Sequence, residues 1–135
     1  MKNNFRREER IKSKKLIDYV FNGGARSFSN FPIRIVYKEN NKPSKGSRAS
    51  ILVSVSKKRF KHATDRNKVK RLIREAYRTS KSNLLTTLNL ENKNIAIAFI
   101  YLSNKIVPYN IIQEKIQTLL SLIIEDYYND QKDID

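Results

Sequence analysis

The chain of 135 residues has no cysteine and no tryptophan, one histidine, and only three glycines and three prolines. Without cysteine it can form neither a disulfide nor a thiolate metal site, and that usage fits a reducing cytoplasm. The lone histidine, His62, cannot build a zinc site or a relay with a second histidine. No run of eighteen apolar residues occurs, so no membrane-spanning helix is expected. The basic first fifteen residues lead into no uninterrupted apolar stretch, so no secretory signal is expected either. Acidic residues are scarce as well: 13 Asp and Glu stand against 28 Lys and Arg, for a net charge of +15. Charge of that size says little about fold and much about partners. It predicts a polyanion, nucleic acid first and an anionic membrane second.

With 39% hydrophobic residues the chain can bury one ordinary core. No internal repeat or low-complexity linker divides it. A single domain over residues 1–135 is expected, with an ordered core at about 10–125 and an acidic tail at about 126–135. The charge is unevenly placed. Residues 42–81 hold fourteen Lys or Arg against Asp65 and Glu75, whereas residues 125–135 hold five acids and only Lys132.

Hydrophobic periodicity predicts the elements. Ser13 can cap a helix in which Leu16, Ile17, Val20 and Phe21 recur at helical spacing, stopped by Gly23 and Gly24. FPIRIVY, residues 31–37, alternates as a strand that Pro32 starts or places at an edge. RASILVSVS, residues 48–56, alternates again, with Ser50, Leu52, Ser54 and Ser56 on a face that is wet or meets a polar ligand. NIAIAFIYL, residues 94–102, is apolar on both faces and therefore central. A final helix runs from about Pro108 to about Tyr128, burying Ile112, Ile116, Leu119 and Ile123. Tyr127 and Tyr128 are expected to pack. The order is helix, strand, strand, helix, strand, helix, with room for a further short strand before the second helix. That reads as α+β or α/β, with helices against a sheet.

The second helix carries most of the signal. In RNKVKRLIREAYR, residues 66–78, six of thirteen residues are Lys or Arg and one is acidic. At about 100° per residue, Val69, Leu72, Ile73, Ala76 and Tyr77 form one face. Arg66, Lys70, Arg74 and Arg78 form an i, i+4 row, with Asn67 and Arg71 beside it and Lys68 and Glu75 beyond. Like charges at that spacing repel by a few tenths of a kcal/mol. The row is therefore expected to meet negative charge from outside the chain, and phosphate fits. Thr64 or Asp65 is the expected cap. An anionic membrane would ask for bulky apolar residues along the polar boundary, and here the apolar face is needed for the core. Neither a His pair nor a carboxylate pair accompanies the basic residues. Asp65 and Glu75 read as a cap and as a solvated or paired side chain, so neither catalytic residues nor a metal site is expected in the protein.

SVSKKRFKHATDRNKVKRLIREAYR resembles the protein subunit of bacterial ribonuclease P. The likeness lies in the strand that ends in Ser54, Val55, Ser56, Lys57 and Lys58, the short connector, and the basic helix. Arg66 and Asn67 match the opening of the family's helix motif, and Lys70, Arg71, Arg74 and Glu75 match the rest. Lys68 stands where Arg is usual, so charge is kept and bidentate hydrogen bonding is lost. The connector is one residue longer than the commonest pattern and lacks its glycine. The likeness extends over about residues 10–125. It implies a compact α–β sandwich with a left-handed βαβ crossover, where the residues alone would suggest the common right-handed form.

The resemblance also implies a role. The protein would be the non-catalytic subunit of a ribonucleoprotein that removes the 5′ leader from precursor tRNA. Its partners would be the catalytic RNA subunit, which does the chemistry with Mg²⁺, and the leader. The protein itself would hold no cofactor, and no obligate protein partner is evident. Arg66, Asn67, Lys68, Lys70, Arg71, Arg74 and Arg78 would meet the RNA subunit. Asn67 either donates to phosphate or 2′-hydroxyl or caps the helix. Ile17, Phe21, Arg34, Val36, Ser50, Leu52 and Ser54 would line a leader cleft. Phe21 either stacks on a base or is a core contact, and Ile17 replaces a second aromatic. Arg34 either holds a phosphate or is a solvated strand residue. Lys14, Lys15, Lys57, Lys58 and Lys61 would attract phosphate generally, or are ordinary surface charge. The alternative is a non-catalytic RNA-binding module such as a ribosomal or RNA-chaperone protein. A protein-only nuclease is a third reading, and the missing acid–base set opposes it.

Overall fold

A computed structural model describes residues 23–40 and 47–132. The helix expected over residues 13–22, and with it Lys14, Lys15, Ile17 and Phe21, lies outside them. The described elements are β1 (Arg26–Asn30), β2 (Ile33–Glu39), β3 (Ala49–Ser54), α1 (Ala63–Ser80), α2 (Ser82–Glu91), β4 (Ile95–Tyr101) and α3 (Tyr109–Lys132). They form a mixed α+β domain on a four-stranded sheet of order β1-β2-β4-β3.

The sheet follows from its side chains. β4 lies between β2, antiparallel, and β3, parallel, as its two apolar faces predict. The parallel step from β3 to β4 needs a long crossover, which α1 and α2 supply. On one face, Ile33, Ile35, Tyr37, Ile51, Val53, Ile97, Phe99 and Tyr101 meet Val69, Ile73 and Tyr77 of α1 and Ile112, Ile116, Leu119 and Ile123 of α3. Phe99 and Tyr77 touch edge to face with centroids 5.8 Å apart, the favoured aromatic geometry.

Two elements differ from the expected order. The additional strand is β1, before the predicted pair and not after it. It carries one large apolar residue, Phe28, which stacks on Tyr37 at 6.0 Å. It pairs antiparallel with β2, Phe28 opposite Ile35. The unpredicted helix is α2, which buries Leu84, Thr87 and Leu88. Thr86 and Thr87 donate back to the carbonyls of Ser82 and Asn83, so hydroxyls that disfavour a helix are bonded within it. Asn92, at φ 53°, closes its end, a left-handed position that Asn tolerates.

The ends of α1 and α3 also shift. α1 starts at Ala63, and the cap position is His62 with no side-chain hydrogen bond. Thr64 and Asp65 therefore lie inside the first turn. Pro108 sits just before α3, its carbonyl accepting from the N–H groups of Ile111 and Ile112. α3 continues past Tyr128 to Lys132. Asp126, placed by composition in the acidic tail, accepts hydrogen bonds from Tyr37 and Arg26 and ties α3 to β1 and β2. Burial and that carboxylate push the Tyr37 phenol well above the usual tyrosine range. Tyr127 packs against the core, but Tyr128 is exposed.

Candidate nucleic-acid interface

The connector from β3 to α1 sets the basic helix in place. The N–H groups of Arg59 and Phe60 donate to the Ser56 carbonyl, and that of Lys58 donates to the Ser56 hydroxyl at 3.0 Å. Phe60 is buried, its ring 6.0 Å from that of Tyr101. The Arg66 Nη1 donates to the carbonyls of Phe60 at 2.9 Å and Lys61 at 3.1 Å. Arg59 donates to Asn104. This fold-back turns Lys57, Lys58 and Lys61 outward, and all three are exposed, as is His62.

α1 buries Val69, Ile73, Ala76 and Tyr77. An i, i+4 row is not a straight face, since it advances by about 40° per step. Arg66 and Lys70 consequently border the buried side next to Tyr77, and the row reaches solvent only toward its end. All four members, Arg66, Lys70, Arg74 and Arg78, are half-buried. The outermost positions are instead Asn67, Lys68, Arg71 and Glu75, all exposed.

Arg66 and Arg78 have partners inside the protein, where the spacing predicted a charge left for an outside anion. Arg66 holds the connector. Arg78 is ion-paired with Glu75, Nη2 to Oε1 at 2.5 Å and Nε to Oε2 at 3.0 Å. That guanidinium holds the Glu75 carboxyl below its ordinary range, mainly through the hydrogen bond. Asn67 lies in the second turn, away from the cap position at His62. Of its two readings, capping is therefore excluded by geometry.

A second surface lies on the opposite side of the sheet from the main core. Strand register sets Arg34, Ile100 and Ser54 in one row, Val36, Ala98 and Leu52 in the next, and Lys38, Ala96 and Ser50 in a third. The five predicted sheet residues thus share one face. Arg34 is exposed, Leu52 and Ser54 are half-buried, and Ser50 is buried. Sequence reasoning missed the contribution of β4. Ala96 and Ala98 lie along the middle of this face, fully buried in a second small cluster with Val36. The signal was the alternation of large and small residues in Ile95–Tyr101. At one end of the face a recess of about 270 Å³ is lined by Gly23, Gly24, Ala25, Ser27, Arg34, Val36 and Ile100. Gly23 and Gly24 have φ of 58° and 75° there, values that favour glycine.

Among the described residues, no group of three or more His, Asp or Glu converges as a metal site. No described helix is long and apolar enough to cross a membrane. What the two surfaces offer is positioning: cations and an amide on α1, and on the sheet an exposed guanidinium beside a largely buried apolar middle.

Comparison with known proteins follows the same lines. The sequence profile of the family described as Ribonuclease P matches residues 5–121. The ribonuclease P protein component of Porphyromonas gingivalis is 36% identical over 114 residues, covering 84% of this chain and 82% of that protein. The component from Chlorobium phaeobacteroides is 28% identical over 127 residues, covering 87% and 86%. The solved RNase P protein of Staphylococcus aureus is 25% identical and superposes with a TM-score of 0.67, over 85% of this chain and 94% of that one. The RNase P protein of Thermotoga maritima shares the fold at a TM-score of 0.64 and 23% identity, over 83% and 94%.

Proposed function

This chain belongs to the ribonuclease P protein family, and from that premise we propose that it is the RNA-binding, non-catalytic subunit of the endonuclease that removes the 5′ leader from precursor tRNA. The outer face of α1 binds the catalytic RNA subunit. Asn67, Lys68 and Arg71 make the central contacts, Lys70, Arg74 and Arg78 flank them, and Arg66 contributes from the connector side. The strip of Arg34, Val36, Ser50, Leu52 and Ser54 receives the leader, and Ile17 and Phe21 are further leader contacts. Lys57, Lys58 and Lys61, in the connector between β3 and α1, carry positive potential from this strip to α1. Mg²⁺ bound to the RNA performs the cleavage, in the cytoplasm.

The observation that carries this reading is the sidedness of α1. One side is sealed into the core, and the other presents cations and one amide with a single carboxylate. Phosphates positioned there release counterions, so affinity should fall steeply with salt. The test is reconstitution. Full-length protein, the RNA subunit of the same organism and precursor tRNA are combined at low salt with Mg²⁺. The protein should raise cleavage over RNA alone and cut nothing without it. Equal rates with and without the protein refute the proposal.

A further inference from the structure

We propose that the recess between α1 and the start of α3 receives one unpaired nucleobase of the RNA partner, stacked on Tyr109. The recess measures about 450 Å³ and is lined by Lys68, Arg71, Leu72, Glu75 and Tyr109. Positions 68, 71, 72 and 75 fall on one side of α1 by helical spacing. They lie beyond the Arg/Lys row, so the row does not explain them. Leu72 and Tyr109 supply an apolar floor, both half-buried against the core. Lys68 and Arg71 stand exposed at the rim.

The Tyr109 ring is fixed at both ends. Its backbone begins α3, and its hydroxyl lies 3.3 Å from the Thr79 Oγ1. Thr79 is itself held, donating to the Ala76 carbonyl at 3.1 Å and accepting from the Gln113 Nε2 at 3.2 Å. A pre-set aromatic plane beside two cations is what a splayed-out base and its phosphate use. Every base has a π-face, and the cations hold the backbone. Glu75 adds selectivity. An ionised carboxylate only accepts hydrogen bonds. It therefore favours a base edge that presents an N–H donor, an exocyclic amino group or a ring N–H. Arg78 keeps Glu75 ionised and aligned. A protein ligand with an apolar side chain would gain nothing from two rim cations, and charge complementarity favours RNA.

The inference rests on α1 being the RNA-facing surface, and the experiment separates the two. Binding of the full-length protein to the ribonuclease P RNA of the same organism is measured across a salt series. Tyr109→Leu should weaken binding on the order of tenfold, the scale of one lost base stack, with the salt slope unchanged. Tyr109→Phe should stay within about twofold. Ultraviolet crosslinking of the wild-type complex should join Tyr109 to a base, whatever the folding of the variants. Wild-type protein that fails to bind the RNA overturns the reading of α1. Normal wild-type binding with an unaffected Tyr109→Leu variant, or crosslinks that avoid Tyr109, overturns the recess alone.

Discussion

Arg66 and Arg71 look equivalent in sequence, and the structure predicts opposite phenotypes when each becomes Ala. Arg66 Nη1 holds two connector carbonyls at 2.9 and 3.1 Å. Hydrogen bonds from a charged donor contribute about 1.5–3 kcal/mol when buried. Arg66 is half-buried and water can replace part of the loss, so about 1 kcal/mol is expected for Arg66→Ala. For a domain of this size that lowers Tm by roughly 3 °C. Arg71 is exposed, and surface substitutions of that kind stay within about 0.5 kcal/mol. Its loss should appear in RNA binding instead. If Arg71 neutralises one phosphate, the slope of log K against log salt should shrink by about 0.7–0.9. Calorimetry and RNA binding over a salt series read the two effects separately. Should Arg71→Ala lower Tm by several degrees while Arg66→Ala leaves it unchanged, the assignment of the outer face of α1 is wrong.

Three further outcomes follow from the described contacts. Tyr37→Phe removes the hydroxyl that Asp126 accepts and should cost about 1–2 kcal/mol by urea unfolding, since Arg26 still faces the carboxylate. The raised Tyr37 pKa makes that stabilisation complete below the unfolded value of about 10 and lost as pH climbs through the folded one. An alkaline titration at 295 nm of the folded protein should accordingly show a late-ionising tyrosine that Tyr37→Phe removes. Ile73→Ala, at a fully buried position, should cost about 2–5 kcal/mol, and a loss below 1 kcal/mol by the same unfolding assay would contradict the packing of α1. The Glu75 carboxyl should titrate below the ordinary range by NMR and return to it in Arg78→Ala. Its pairing supports the helix above the unfolded pKa and fades as pH falls through the lower, folded one.

The sequence made β2, β3, β4, α1 and α3 legible because each buries a periodic stripe. Where the stripe was thin, reading failed. β1 has a single large apolar residue, Phe28, and exists because β2 offers an edge to pair with. α2 contains Ser, Thr and Asn at positions that weaken a helix, and it leaves Leu90 exposed. Its stability comes from Leu84 and Leu88 meeting the core, a tertiary effect that no local pattern states. The rotation of α1 was available in principle. Val69, Ile73, Ala76 and Tyr77 define the buried arc, and its opposite side is Asn67, Lys68 and Arg71. The i, i+4 row is conspicuous because its charges repeat, whereas its positions are half-buried. The partners Phe60 for Arg66 and Tyr109 for the far flank of α1 come from elsewhere in the chain, so spacing within the helix could not reveal them.

β4 shows how one strand serves both surfaces. Ile95, Ile97, Phe99 and Tyr101 face the helices and are fully or almost fully buried. Ala96 and Ala98 point the other way. Both are fully buried in a small second cluster with Val36. On the proposed function, the strip that the leader would meet runs across β2, β4 and β3. Val36 and Leu52 then form its sides, and Arg34 lies one row along. The core face fixes the register, because a slip of one residue would turn Ile97 and Phe99 outward. The same register therefore fixes the depth of the strip. Packing on one side of the sheet sets the geometry available for binding on the other.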